Sequence, residues 1–589
     1  MGAEDGLAVT TDRSISVRAF AAGVLSIAAL ALLLRTMYPA ADPPWNPSVG
    51  VVWHDEGAWV HNARNRALFG AWTLDAWNPM YIAPVFTGLE YASFAAFGVG
   101  VRQARLVSEL TGFASVILLM FGVRRIGGRE SGLIAGALLA TNYVYVMYDR
   151  AATMEASMVA FMVISWYAYV RAQSRAAWGW IAAASALLAY FTKASAAFYV
   201  AALGLDALIS VFRPTSADDD ASRAGARATI AGLFAWGVLA LVLFVAPNWT
   251  EYRFYNWQMS VTRKPSYDLR SLVDRVTWFP VLHDVFTRMW FVVVTGVVAL
   301  FGLIGRWGRV SPPERLLALW IGVGTFELLL HDVGNERRFL IFIPALIAVA
   351  ALALGRDRTM LPAEISTVPR GRALLAMPIV LYALYVIIAP LVRLTRLYEI
   401  GPNVRVAAAL AALAALILYA TWPWIPRRLA RDRWSPAAGL VVAALVSAGQ
   451  LAQFVQWAAG RSYKNYEASV TLGQVLPPGT LVHGKLANGL SLDNRIKPIF
   501  IGREFGNYED RKRRDDVRYI LTYVAPSLGY ESQARNPVIQ DVLDAYPNHR
   551  TLMTFDVAET STGHDRAALI DKFGSAAAGS SNGTGRAHD

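Results

Sequence analysis

Apolar residues along this chain fall into long blocks, not into the alternating or 3.6-residue patterns of a soluble protein. The first block runs from Ala19 to about Leu34, just after Arg13 and Arg18. Others recur near 103–122, 132–148, 156–170, 178–192, 194–211, 229–247, 286–305, 314–331, 339–355, 373–392, 404–422 and 436–457. These blocks predict thirteen transmembrane helices, a bilayer requiring ~17–25 residues each. The pair 178–192 and 194–211 is short and reads as a tight hairpin. The first block exceeds the ~7–15-residue apolar region of a signal peptide, so it reads as an uncleaved span.

Residues 80–99 (MYIAPVFTGLEYASFAAFGV) are also apolar, yet they carry Glu90 at the centre with Pro84 and Gly88 close by. A carboxylate in mid-bilayer is costly. The segment is therefore expected to lie in, or re-enter from, the outer interface. If it crossed, every later loop would change sides.

After 458 the pattern changes to Pro-Gly turns, short strands (TLVHG, IKPIFIG, RYILTYV, RTLMTF) and amphipathic stretches near 463–475 and 537–545. That mixture predicts a small α/β domain. The fold class expected is an all-α polytopic membrane protein of about 13 transmembrane helices with a small extracytoplasmic α/β C-terminal domain. The divisions are a membrane core over 1–458, the α/β domain over 459–573 and a low-complexity, disordered tail over 574–589.

Composition agrees with this and narrows the function. Hydrophobic residues make up 55% and charged residues 17%, with a mean hydropathy of +0.36. A soluble surface needs ~25% charged residues. There is no cysteine, which excludes disulfide scaffolds, thiolate metal sites and thiol nucleophiles. Of 55 basic residues 48 are Arg. They gather in alternate loops, among them Arg124, Arg125 and Arg129, Arg213, Arg223 and Arg227, and Arg427, Arg428, Arg431 and Arg433. Basic loops face the cytoplasm, which places the N-terminus inside. The loops 38–101 and 248–285 and the C-terminal domain then lie outside. No basic cluster interleaved with aromatics argues for nucleic acid. The Arg- and Ala-rich composition suggests a bacterial inner membrane.

The outer loops hold the chemistry. His54-Asp55-Glu56 open a helical pattern that continues through Arg64. Neighbouring helical residues point ~100° apart, so Asp55 and Glu56 cannot face one reacting atom. One would act, and the other would orient or bind. A second cluster is Asp149-Arg150, commonly a self-paired helix end, followed by Glu155 at the start of a span. An ionisable group there is a functional candidate. Cations follow: Lys193 and Lys264, the only lysines before residue 460, then Arg263 and the pair Arg337-Arg338. An arginine fork or a lysine point charge suits a lipid phosphate, although for any one of these residues alone interfacial anchoring is the commoner role. His54, Asp55, Glu56 and His61 leave a divalent metal open without favouring one, since no HxxxH or HExxH spacing occurs.

Five stretches then act together: DEGAWVHNAR at 55–64, RLVSELTGFASVILLMFGVRRIGGRESGLIAGALL at 105–139, YDRAATMEASM at 148–158, YFTKASAAFYV at 190–200 and NERRFLIFIPAL at 335–346. The chain resembles the GT-C superfamily of membrane glycosyltransferases, in the branch holding the protein O-mannosyltransferases and the lipid A aminoarabinose transferase. The resemblance covers roughly 45–350 and weakens afterwards. It implies transfer of a sugar from a polyprenyl-phosphate donor to an acceptor glycan, lipid or protein at the outer face, with no required cofactor. By position Asp55 matches the family's catalytic aspartate and Glu155 its second acid. Trp59 stands where the family usually has Tyr, and Glu155 where it often has Asp, which leaves the sugar open. Glu56, Arg64, Arg150, Glu155, Lys193, Arg263, Lys264, Arg337 and Arg338 are the expected substrate-binding residues. Two other readings are a transporter or flippase of lipid-linked sugars and a receptor whose C-terminal domain binds. The chain shows no internal repeat to support the first.

Overall fold

The computed structural model describes residues 15–44, 51, 53–214, 219–258, 267–331, 336–355, 368–393, 404–422, 435–502, 505–523, 540–558 and 566–574. The expected disordered tail lies outside these, apart from Gly574.

The chain begins with α1 (Val17–Thr36), started by Ser16, whose hydroxyl accepts from the Ala19 amide. In the loop that follows come α2 (His54–Trp59) and α3 (His61–Phe69), then α4 (Pro84–Phe97). Next come α5 (Val101–Gly127), α6 (Arg129–Thr141), α7 (Tyr143–Asp149), α8 (Met154–Ala172), α9 (Ala177–Thr192), α10 (Ala197–Phe212) and α11 (Asp220–Ala240). Further apolar helices occupy Trp290–Gly305, Pro312–His331, Phe342–Gly355, Arg370–Arg393, Val404–Ala420 and Pro436–Ala459. Each of the thirteen apolar blocks therefore carries helix. Among the described residues seven helices are long and apolar enough to cross a membrane, or eight if the bent pair α6–α7 is one span. The thirteen-span count stands as an expectation.

The break between α6 and α7 has a local cause. Asn142 leaves helical geometry, and its side-chain oxygen accepts from the Tyr145 amide at 2.9 Å, restarting the helix at an angle of 61°. An Asn side chain that competes for backbone partners favours such a start. The turn carries Asp149 against α5, where Gly112 leaves room for it: a Cβ there would lie 2.2 Å from the Asp149 carboxyl carbon. Asp149 pairs with Arg35 at 2.7 Å, both fully buried, so the neighbour pairing with Arg150 does not form. Arg150 instead donates to the carbonyls of Leu34, Arg35 and Tyr38 at 2.8–3.0 Å. It thereby satisfies the open end of α1, where carbonyls lack helical partners.

α4 realises the segment with Glu90. Fourteen residues span ~21 Å, less than the ~30 Å hydrocarbon layer, and Gly98 ends the helix at φ 83°. Glu90 is fully buried, and burial, aided by Glu56, raises its pKa well above the carboxylate range. Burial in low dielectric disfavours the charged form, which is the cause of that shift.

The C-terminal region forms a five-stranded sheet. Its strands are β1 (Leu481–His483), β2 (Lys497–Ile499), β3 (Tyr519–Tyr523), β4 (Arg550–Asp556) and β5 (Arg566–Asp571). Their order is β2-β1-β3-β5-β4, with β1 parallel to both neighbours and β5 antiparallel to β3 and β4. Helix Lys464–Val475 covers one face through Ala468 and Leu472, packing on Val482, Leu521 and Leu569. Ile520, Ala568 and Ile570 line the other with Val542 and Tyr546. Four strands match the sequence expectation. β5 lies next to the low-complexity tail, whose composition hides it.

Candidate active site

The two acids of α2 diverge as helix geometry requires. Glu56 turns toward α5, where Arg105 grips both its oxygens at 2.8 and 2.7 Å and the Ala152 amide donates at 2.8 Å. Arg105 also donates to the carbonyls of Pro39 and Ala41. The structure thus uses Glu56 to tie α2, α5 and the start of α8 together. Asp55 turns the other way. Its Oδ2 accepts from Arg337 Nη1 at 2.8 Å, and His54 Nε2 lies 3.8 Å from its Oδ1.

Arg337 comes from the turn Glu336–Ile341 that precedes the buried helix Phe342–Gly355. It joins the two halves of the site, because its Nε also lies 3.3 Å from Glu155 Oε1. Glu155 is fully buried at the start of α8 and accepts from Lys193 Nζ. Lys193 stands where α9 stops, with an extended backbone at φ −159° that bends the chain into the next turn. Burial pulls its pKa down to about 8, against the pull of Glu155, and Arg337 and Arg338 push it the same way. The result is a continuous row: Lys193, Glu155, Arg337, Asp55. Four segments supply it, and the two outermost in sequence, Asp55 and Arg337, lie 282 residues apart.

Two cations beside two buried carboxylates suit one chemistry in particular. Lys193 and Arg337 present charge to an anion, and Asp55 is an acceptor for a proton. The other sequence candidates take different places. Arg338 is close enough to depress Lys193. Arg263 and Lys264 lie outside the described residues. Arg64 is fully buried and donates to the carbonyls of Ser491, Asn494 and Ile496 at 2.9–3.1 Å. His61 contacts Asp75, Asn65 and Asn488 at 2.9–3.0 Å. Among the described residues no group of three or more His, Cys, Asp or Glu could hold a metal ion.

Arg64 and His61 show that the C-terminal domain clamps α2 and α3. The contact is closest at Gly57, where a Cβ would lie 1.8 Å from the Asn488 carbonyl oxygen. Gly489 also packs closely on the His54 backbone, its own Cβ position 2.8 Å from His54 Cα. Sequence reasoning overlooked Arg105 and Gly57, although both stand inside the quoted stretches. Nothing in their spacing says that one serves Glu56 and the other a carbonyl some 430 residues away.

Residues 83–248 match the model of a family described as dolichyl-phosphate-mannose-protein mannosyltransferase. This bears out the GT-C resemblance over that stretch. No curated protein matches in sequence. In fold the chain is similar to ArnT from Cupriavidus metallidurans bound to undecaprenyl phosphate, at 16% identity and a TM-score of 0.47, covering 93% of this chain and 97% of ArnT. It is also similar to the Archaeoglobus fulgidus oligosaccharyltransferase tethered to an acceptor peptide, at 13% identity and 0.42, with coverage of 86% and 69%. A third likeness is to the arabinosyltransferase EmbB from Mycobacterium smegmatis, at 17% and 0.40, with coverage of 76% and 41%.

Proposed function

We propose that this chain is an integral membrane glycosyltransferase of the bacterial inner membrane. It moves a sugar from a polyprenyl-phosphate donor to an acceptor hydroxyl at the extracytoplasmic face, with inversion. The observation that carries this reading is the row Lys193–Glu155–Arg337–Asp55. The matched family supports the donor class, since its description names a sugar carried on a lipid phosphate. An active site facing outward also needs such a donor, because nucleotide sugars are cytosolic.

In the step itself the acceptor oxygen bonds to the anomeric carbon from the face opposite the leaving group. The bond from that carbon to the phosphate oxygen breaks, and its electron pair stays on the phosphate. The acceptor proton passes to the Asp55 carboxylate. A single base suffices, unlike the paired carboxylates of a retaining glycosidase. The leaving phosphate needs charge stabilisation, which Lys193 and Arg337 provide. Glu155 holds both cations in place. Donor binding has a second consequence, since a phosphate that takes Arg337 releases Asp55 from that ion pair and raises its basicity. Acid–base activation is thereby tied to an occupied donor site.

The test uses membranes holding wild type or Asp55→Asn, supplied with a panel of polyprenyl-phosphate sugars, and follows release of free polyprenyl phosphate. Release should collapse in the variant at unchanged protein level. Equal release from the variant removes Asp55 as base.

A further inference from the structure

A groove of about 650 Å³ opens between the first outer loop, the segment Trp249–Gln258 and Phe505 of the C-terminal domain. Its volume falls within the ~300–1,000 Å³ of small-molecule sites. Its walls are fixed by bonds that cross between these segments. Asp75 joins His61 at 2.9 Å and accepts from the Phe500 amide at 2.8 Å. Tyr255 donates to the Ala76 carbonyl, and the Asn78 amide donates to Tyr255 at 3.1 Å. Asn256 donates to the Tyr81 carbonyl at 2.8 Å. The groove is therefore formed before anything binds.

Its lining alternates flat rings with hydrogen-bonding side chains. Tyr81 stacks on Tyr255 at 5.7 Å and 23°, Phe254 and Phe505 lie 5.9 Å apart, and Trp249 is 56% exposed at the rim. Between them stand Asn78, Glu251, Arg253 and Gln258. A sugar ring has this same division, with C–H faces that stack on aromatic rings and edge hydroxyls that need planar carboxylate or amide partners. Two carboxylates, Asp75 and Glu251, against one Arg253 disfavour an anionic phosphate and suit a neutral polyol.

A chain of packed rings links the groove to the active site. Phe505 meets Trp77 at 6.0 Å, Trp77 meets Trp59 at 5.4 Å, and the Arg337 guanidinium lies 5.9 Å from the Trp59 ring centre. Within this chain of rings Trp59 Nε1 is a buried donor with no partner among the described residues. Such a donor ordinarily marks a place where a ligand or water belongs.

Building on the glycosyltransferase reading, we propose that the groove is the acceptor site and that the acceptor is a neutral saccharide chain, whose terminal hydroxyl passes Trp59 to reach Asp55. The occupant is a glycan and not a peptide.

Full-length protein in nanodiscs would be titrated calorimetrically with linear neutral glucan, mannan, galactan and arabinan oligosaccharides of four to six units. Ser/Thr-containing peptides of similar length would be run beside them. The expected result is saturable binding of at least one saccharide. That binding weakens tenfold or more in Trp249→Ala and Glu251→Ala and recovers in Trp249→Tyr, which restores an aromatic platform. Trp249 is exposed, so these variants should fold. The proposal is overturned if no saccharide saturates, if Trp249→Ala binds as wild type does, as a mere interfacial residue would, or if a peptide binds in preference. Neither donor nor turnover enters this measurement. Its failure is thus distinct from the failure of the catalytic reading, which the Asp55→Asn release assay detects whether or not saccharide binds.

Discussion

Gly57→Ala tests whether the C-terminal domain sets the position of Asp55, the proposed base. The new Cβ would lie 1.8 Å from the Asn488 carbonyl oxygen, whereas ordinary contact begins at 3.4 Å. About 1.6 Å must therefore be found. The obstacle is backbone, so no side chain can swing aside. Arg64, His61 and Gly489 hold the same interface and resist separation. The strain then falls on α2, two residues from Asp55. Misplacing a reacting group by ~1 Å costs roughly 10²-fold in rate. Turnover should fall about a hundredfold, measured as polyprenyl phosphate released per folded protein with the active donor. The loss should appear in kcat more than in donor KM, because Lys193 and Arg337 lie on other elements. Wild-type turnover in a stably folded Gly57→Ala protein would refute the reasoning and leave the C-terminal domain without a part in positioning Asp55.

Three further outcomes follow from particular contacts. Arg105→Leu leaves Glu56 buried without its bidentate partner, a change that costs about 3–5 kcal/mol and should appear as a lowered Tm. Gly112→Ala forces a Cβ to 2.2 Å from the Asp149 carboxyl carbon and strains the Arg35–Asp149 pair. Overpacking of that kind costs about 1–3 kcal/mol, again read by thermal unfolding. The pH profile reports on Lys193, whose pKa lies at about 8 because it is buried. In the proposed step the protonated form stabilises the leaving phosphate, so kcat/KM should fall as pH rises through about 8. Lys193→Arg keeps its charge at any such pH and should shift that alkaline limb upward. An unchanged limb would remove Lys193 from the step.

Much of the membrane core was legible in the sequence because hydrocarbon imposes one rule, a long apolar helix, and each apolar block carries helix. For α4 the expectation of an interfacial segment rests on Glu90, since a mid-segment carboxylate contradicts a simple span, and the helix formed there is fourteen residues long. The candidate site was legible as a set of charged residues at helix ends. Its pairings were not. Asp149-Arg150 looked like a self-contained pair, yet Arg35 from the first helix claims Asp149. Glu56 was expected to orient or bind substrate, and its spacing gave no sign that Arg105 holds both its oxygens. Such assignments depend on which distant helices meet, and local spacing carries no information about that. Gly57 makes the point most sharply, because its reason for being glycine is a carbonyl supplied by another domain.

The most direct test of the central claim uses the leaving group alone, because it requires no knowledge of the sugar. Full-length protein in nanodiscs would be titrated with polyprenyl phosphate, comparing wild type with Lys193→Gln, Arg337→Gln and Asp55→Asn. If the row of charges is the donor site, both cation variants lose affinity by tenfold or more. Asp55→Asn then binds as well as wild type or better, since Arg337 no longer answers to a carboxylate there. Unchanged binding in Lys193→Gln and Arg337→Gln would contradict the account, and the phosphate would have to be held elsewhere.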